Sequence, residues 1–189
     1  MRKLLLPCLM AVSLAGCAQG ARVEQMSAAP TTVLPADSVL QHAVRITSVS
    51  GGTDTNPLWK SKVGNAEFQS ALQSSLGAAG LLASGEGRYQ LNAELESLDQ
   101  PFAGFDLTVH SRVRYRLTDL TVNKPVFDRQ VDADYTATVG DAFIAVERLR
   151  LANEGSVKKN IQTFMDQLIT DVGKGPTVSA VSPPGGTDG

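Results

Sequence analysis

FDLTVHSRVRYRL, residues 105 to 117, alternates apolar and polar side chains along most of its length. Phe105, Leu107, Val109, Val113, Tyr115 and Leu117 share one parity; Asp106, Thr108, His110, Arg112, Arg114 and Arg116 share the other. In a strand, successive side chains point to opposite faces, so this pattern predicts a long strand with one buried and one wet face. A strand covered on both faces would be apolar throughout.

The same alternation lies on either side. Upstream, Tyr89, Leu91, Ala93 and Leu95 interleave with Gln90, Asn92, Glu94 and Glu96; downstream, beyond an Asn123-Lys124 turn, Phe127, Val131, Ala133 and Tyr135 interleave with Asp128, Gln130, Asp132 and Asp134. Three consecutive half-buried strands make an antiparallel meander. Leu40, Val44 and Ile46 in LQHAVRITSVS share a parity and predict a first strand before Gly51-Gly52. His42 falls within it.

Between the first and second strands the period changes. Phe68, Leu72, Leu76 and Ala79 recur on one helical face, Gly64-Asn65 precedes them and Gly80 stands where a left-handed cap belongs, which predicts a helix over 66–79. Val157, Ile161, Phe164, Met165, Leu168 and Val172 predict a second helix that begins near Asp141 and stops at Gly173, with Gly155 as a weak point inside it. The order β-α-β-β-β-α, with a single apolar sheet face to cover, predicts an α+β two-layer sandwich: a mainly antiparallel four-stranded sheet with both helices packed on one face. One such domain spans residues 39–172. The run 173–189, rich in Gly, Pro, Ser and Thr, reads as a disordered tail.

The chain opens MRKLLLPCLMAVSLAGC, residues 1–17. Arg2 and Lys3 start it, and an apolar core of about eleven residues follows, too short for the roughly twenty that a membrane-crossing helix needs. The run resembles the signal of bacterial lipoproteins, whose lipobox reads Leu-Ala-Gly-Cys as Leu14-Ala15-Gly16-Cys17 do. That resemblance implies cleavage before Cys17 and acylation of it, so that residues 1–16 are a signal peptide and Cys17 is the membrane anchor. Ala18 in place of Asp after the cysteine implies, by the sorting rule of such lipoproteins, export to the outer membrane, facing the periplasm. Residues 17–38, rich in Ala, Thr, Pro and Gln with no apolar period, read as the lipidated cysteine and a flexible tether.

Loss of the signal removes Cys8, Arg2 and Lys3 from the chain. The remaining cysteine is consumed by lipid, which leaves no disulfide and no Cys-ligated metal. The net charge, −2 for the full chain, falls to near −4, and an acidic protein gains nothing from a phosphate backbone, so nucleic acid is set aside as a partner.

The wet parity sorts charge by strand: Glu94 and Glu96, then Arg112, Arg114 and Arg116, then Asp128, Asp132 and Asp134. A one-residue bulge at Asp119 would set Arg114 opposite Asp132, Arg112 opposite Asp134 and Tyr115 opposite Val131. Arginine suits the phosphate or carboxylate groups of a glycolipid, so the stripe is a candidate ligand site. The flanking acids favour a ladder that fixes register instead.

No pattern for catalysis stands out. His42 and His110 have no metal-ligand spacing, the serines lack a Gly-x-Ser-x-Gly setting, and the glycine pairs near 77–87 do not join a strand's end to a helix's start. The expectation is a protein without enzymatic activity, cofactor or metal. GGTDTNPLWKSKVG, residues 51–64, is long for a compact domain and carries the chain's one tryptophan. Leu58 and Trp59 either fold back as a lid on the core edge or form a partner-binding tip, since Trp is enriched at interface hot spots. Asn153-Glu154-Gly155 is a weaker candidate for binding.

The glycine-rich loop ending in Leu58-Trp59, the helix Phe68-x-x-Ala71-Leu72-x-x-Ser75-Leu76-x-x-Ala79-Gly80-Leu81, the strand Tyr89-x-Leu91, the basic strand and Arg150-Leu151-Ala152-Asn153-Glu154-Gly155 come in an order similar to that of small alphaproteobacterial envelope lipoproteins. More distantly, the topology resembles LptE-type lipopolysaccharide-assembly lipoproteins and YajG-like lipoproteins. The resemblance implies an anchored accessory that binds an envelope protein, with a glycolipid as the alternative ligand.

Overall fold

The computed structural model describes residues 20–52 and 63–173. Along the chain run α1 (Val23–Met26), β1 (Val44–Ser50), α2 (Asn65–Ala78), β2 (Tyr89–Asp99), β3 (Leu107–Asp119), β4 (Lys124–Ala137) and α3 (Ala145–Val172). The four strands form one sheet in the order β1-β2-β3-β4. Parallel neighbours need a crossover connection, which α2 supplies between β1 and β2; β2–β3 and β3–β4 are antiparallel.

β3 keeps strict alternation from Leu107 to Asp119. Its apolar side chains pack beneath the helices: Tyr115 stacks on Phe164 of α3 with ring centroids 3.9 Å apart, and Phe127 of β4 meets Phe164 edge-on at 5.7 Å. Phe68, Leu72 and Leu76 of α2 close the other half of this core. Gly80, at φ +72°, follows α2 as the sequence pattern requires, and its carbonyl accepts from the His42 amide.

Four expectations change. The first strand begins at Val44, and His42 occupies a turn at φ +49° before it. Phe105 precedes β3 and is 84% exposed, because the loop from Pro101 to Asp106 carries it beyond the sheet. The second helix starts at Ala145, four residues later than Asp141, which instead closes a turn by accepting from the Thr138 amide at 2.7 Å and the Thr138 hydroxyl at 2.9 Å.

The largest difference lies in the run read as a tether. Ala21, Met26 and Ala28 are buried, and the segment lies along α3: the Arg22 amide donates to Glu154 at 2.8 Å, Gln162 donates to the Ala29 carbonyl at 3.1 Å, and the Thr32 amide donates to Asp166 at 2.7 Å. Its apolar residues show no period because they are held by polar anchors on a neighbouring helix.

Candidate functional site

On the open face of the sheet, β3 presents its arginines to β4. Arg112 Nε donates to Asp132 at 2.7 Å, while Arg114 Nε and Arg116 Nε both donate to Asp128, each at 2.9 Å. His110 Nδ1 stands 3.0 Å from Asp134, and Glu94 of β2 lies opposite Arg114. Hydrogen bonding to Asp132 and Asp128 raises the affinity of Arg112 and Arg114 for their protons. The same bonds hold Asp132 and Asp128 below the usual carboxylate range. The stripe is an ion-pair ladder whose guanidinium groups are already committed to carboxylates.

The ladder has a different register from the one expected. Arg112 faces Asp132, Arg114 faces Gln130, Arg116 faces Asp128, and Val113 rather than Tyr115 faces Val131. The pairing shifts at Pro125, which has no amide hydrogen to give the ladder, and Val126 becomes the extra residue. Asp119 therefore stays in step on the buried parity, with Leu120 partly exposed beyond it. A buried carboxylate needs a partner, and Arg88 supplies one through Nη2 at 2.6 Å. Arg88, with help from the Thr121 hydroxyl and amide, holds the Asp119 carboxyl well below the carboxylate range.

Under α3, polar groups are joined into a clip. Tyr115 donates to Asn160 at 3.0 Å, Asn160 donates to the Val131 carbonyl at 2.8 Å, and Ser156 donates to the Ala133 carbonyl at 2.9 Å with its oxygen 2.8 Å from the Ser111 hydroxyl. Each buried donor or acceptor named here is used to fasten α3 to β3 and β4. Burial also pushes the Tyr115 hydroxyl well above its ordinary pKa, so it stays a neutral donor.

The Asn153-Glu154-Gly155 run has structural work as well. Asn153 accepts from Gln100 at 2.8 Å, and Glu154, 2% exposed, accepts from the Arg22 amide and guanidinium. A Cβ on Gly155 would come within 2.4 Å of the Tyr135 ring, so only glycine lets that ring lie against α3. Beside them a cleft of about 500 Å³ opens between α1, the end of β4 and α3, with Gln25, Tyr135, Leu151, Lys158 and Gln162 on its walls. Its one deeply buried carboxylate, Glu154, is bound by Arg22. No group of three or more His, Cys, Asp or Glu side chains that could hold a metal ion occurs among the described residues.

Cys17, Leu58 and Trp59 lie outside the described residues. The Arg22–Glu154 clamp escaped sequence reading, since a lone Arg-Glu pair far apart in the chain leaves no local signal.

The architecture has close parallels among solved structures. A Xanthomonas campestris protein of the DUF330 family superposes with a TM-score of 0.53 at 12% identity, over 76% of this chain and 94% of that one. A Chlamydia trachomatis hypothetical protein does so with a TM-score of 0.50 at 12% identity, over 69% of this chain and 96% of the other. The chain shares their fold. A minor lipoprotein of Acinetobacter baumannii is also similar, at a TM-score of 0.45 and 13% identity, over 69% of this chain and 92% of its own. No protein-family model matches the sequence, and no curated protein does.

Proposed function

We propose that this chain is a cell-envelope lipoprotein, anchored through Cys17 in the outer membrane and facing the periplasm, that serves as a non-enzymatic adaptor in assembly or transport by binding another envelope protein. The observation that carries the reading is Leu14-Ala15-Gly16-Cys17 behind a short cationic and apolar leader. Several acyl chains on one cysteine make anchoring effectively permanent, where a single chain is marginal. No helix among the described residues is long and apolar enough to cross a membrane.

Two features support an adaptor over a lipid-headgroup receptor or a catalyst. The arginines that would grip a glycolipid are bonded to Asp128 and Asp132, and the buried polar groups beneath α3 are bonded to one another and to backbone carbonyls. Leu58 and Trp59 are the residues we assign to the protein partner, on the strength of tryptophan's weight at interfaces. Crosslinking of the native lipidated protein, followed by pull-down, tests this. A partner captured by the wild type and lost with Trp59→Ala, with circular dichroism unchanged, is the expected result; capture of the same partner by Trp59→Ala removes that loop from the reading.

A further inference from the structure

Three of the six phenylalanines, Phe68, Phe127 and Phe164, are core residues. The other three do the opposite: Phe102, Phe105 and Phe143 are 105%, 84% and 89% exposed, and Ile144 is 63% exposed. All four lie at one end of the sheet. Leu107 pairs with Ala137, so the loop that leads into β3 and the loop that leaves β4 emerge together, and the second runs directly into α3. Large apolar side chains gathered and exposed in this way mark an interaction surface.

The loops are fastened rather than loose. Arg148, itself buried, donates from Nη1 to the Ala142 carbonyl at 2.8 Å and to the Phe143 carbonyl at 2.7 Å. Gln100 ties the other loop to Asn153 of α3. The phenyl rings are therefore held outward on a scaffold that could have been built without them.

What covers them follows from the path of the N-terminal segment along α3. Contacts of the N-terminal segment climb α3 in order, Thr32 on Asp166, Ala29 on Gln162 and Arg22 on Glu154, so that toward Cys17 the chain heads for the start of α3, where Phe143 and Ile144 stand. Glu154 lies about 14 Å along the helix from Ala145. From Cys17 to Arg22 the backbone can span at most about 18 Å. Cys17 is thus within chain reach of the level of the exposed rings, and only Ala18, Gln19 and Gly20 separate it from Ala21, which is packed into the domain.

We propose that Phe102, Phe105 and Phe143, on the two loops at this end of the sheet, dip into the same leaflet that holds the acyl chains of Cys17, so that the domain sits on the membrane in one orientation. The inference rests on the anchored reading given above. Asp99, Asp106, Asp141 and Glu147 lie within four residues of the rings along the chain, while Arg148 and Arg150 are spent on Phe143 and on Glu147 and Glu154. Attraction to anionic headgroups is not what drives docking, and it is insensitive to salt.

The test uses the full lipidated protein in vesicles of phosphatidylcholine. With Cys17 acylated, Phe102→Cys, Phe143→Cys and, at the opposite end of the sheet, Val122→Cys each offer a single thiol for an environment-sensitive fluorophore; all three positions are exposed, so the fold is retained. Labels at 102 and 143 should be quenched several-fold by nitroxide-bearing lipids and shielded from aqueous iodide, at low and high salt alike, while the label at 122 shows neither effect. If labels at 102 and 143 meet iodide as freely as that at 122 while the protein remains on the vesicles, the docked tip is refuted and the anchor stands. Shielding from iodide without quenching by lipid means that protein covers the rings, which also refutes it. If the protein isolated from its own cells carries a bare thiol at Cys17, the anchored reading and this one fall together.

Discussion

The two faces of β3 teach where this domain keeps its stability. Beneath the helices, Val113, Tyr115 and Leu117 are fully buried and Tyr115 stacks on Phe164; on the other side of the same strand, Arg112, Arg114 and Arg116 remain about half exposed although each has a carboxylate partner. Water competes for every bond of the ladder and for none of the contacts in the core. The covered face supplies free energy through apolar burial, and the open face supplies register.

Removing the ring at the centre of the covered face should break this contrast most severely. Phe164→Ala is expected to cost about 3–5 kcal/mol, a large share of the stability of an ordinary domain, as a drop in urea midpoint. A loss no greater than that of the arginine variants below would mean that the faces are not unequal. A smaller effect with a change of sign is expected where Tyr135 meets Gly155. Gly155→Ala should destabilise the wild type by about 1–3 kcal/mol through overpacking, yet stabilise a Tyr135→Ala background by about 1 kcal/mol through helix propensity. Equal effects in both backgrounds would remove the contact as the reason for the glycine.

Asp119 sharpens the comparison, being ionic yet on the buried parity. Its carboxyl is depressed in the folded state by Arg88, so its contribution is complete above the ordinary value near 3.8 and is lost as pH falls below it. The urea midpoint of the wild type should fall more steeply below pH 4 than that of Asp119→Asn, and the two curves should draw together in acid. Parallel curves from pH 6 to acid would contradict the assignment. The smallest effect belongs to the ladder: replacing Arg112, Arg114 and Arg116 together by Gln should lower the midpoint less than Phe164→Ala does, with a difference that shrinks as salt is added.

How legible was this in the chain? Regular periods carried across well. The alternation in β2, β3 and β4 identified the sheet, and Phe68, Leu72 and Leu76 with Gly80 identified α2 to within a residue at each end. Register was harder, because sliding β4 by two residues keeps every charge on the same face and still sets two of the three arginines opposite an acid, as the observed register does. The deciding feature was a missing amide hydrogen at Pro125. The segment that packs along α3 was illegible for another reason: Ala21, Met26 and Ala28 have no period, and the bonds that hold them join residues more than a hundred positions apart, or forty-seven in the case of Ala28 and Ser75. Phe105 was misplaced because a loop residue fell by chance on the strand's parity. The Pro101 and Gly104 that precede it are the signal that could have set it apart.

Everything proposed for this chain's role depends on the modification of one sulfur atom. Mass spectrometry of the protein isolated from its own cells measures that directly. The expected spectrum shows a mature chain that begins at Cys17 and carries covalently bound acyl chains; a chain that retains Met1–Gly16, or that begins at Cys17 with a free thiol, would contradict it.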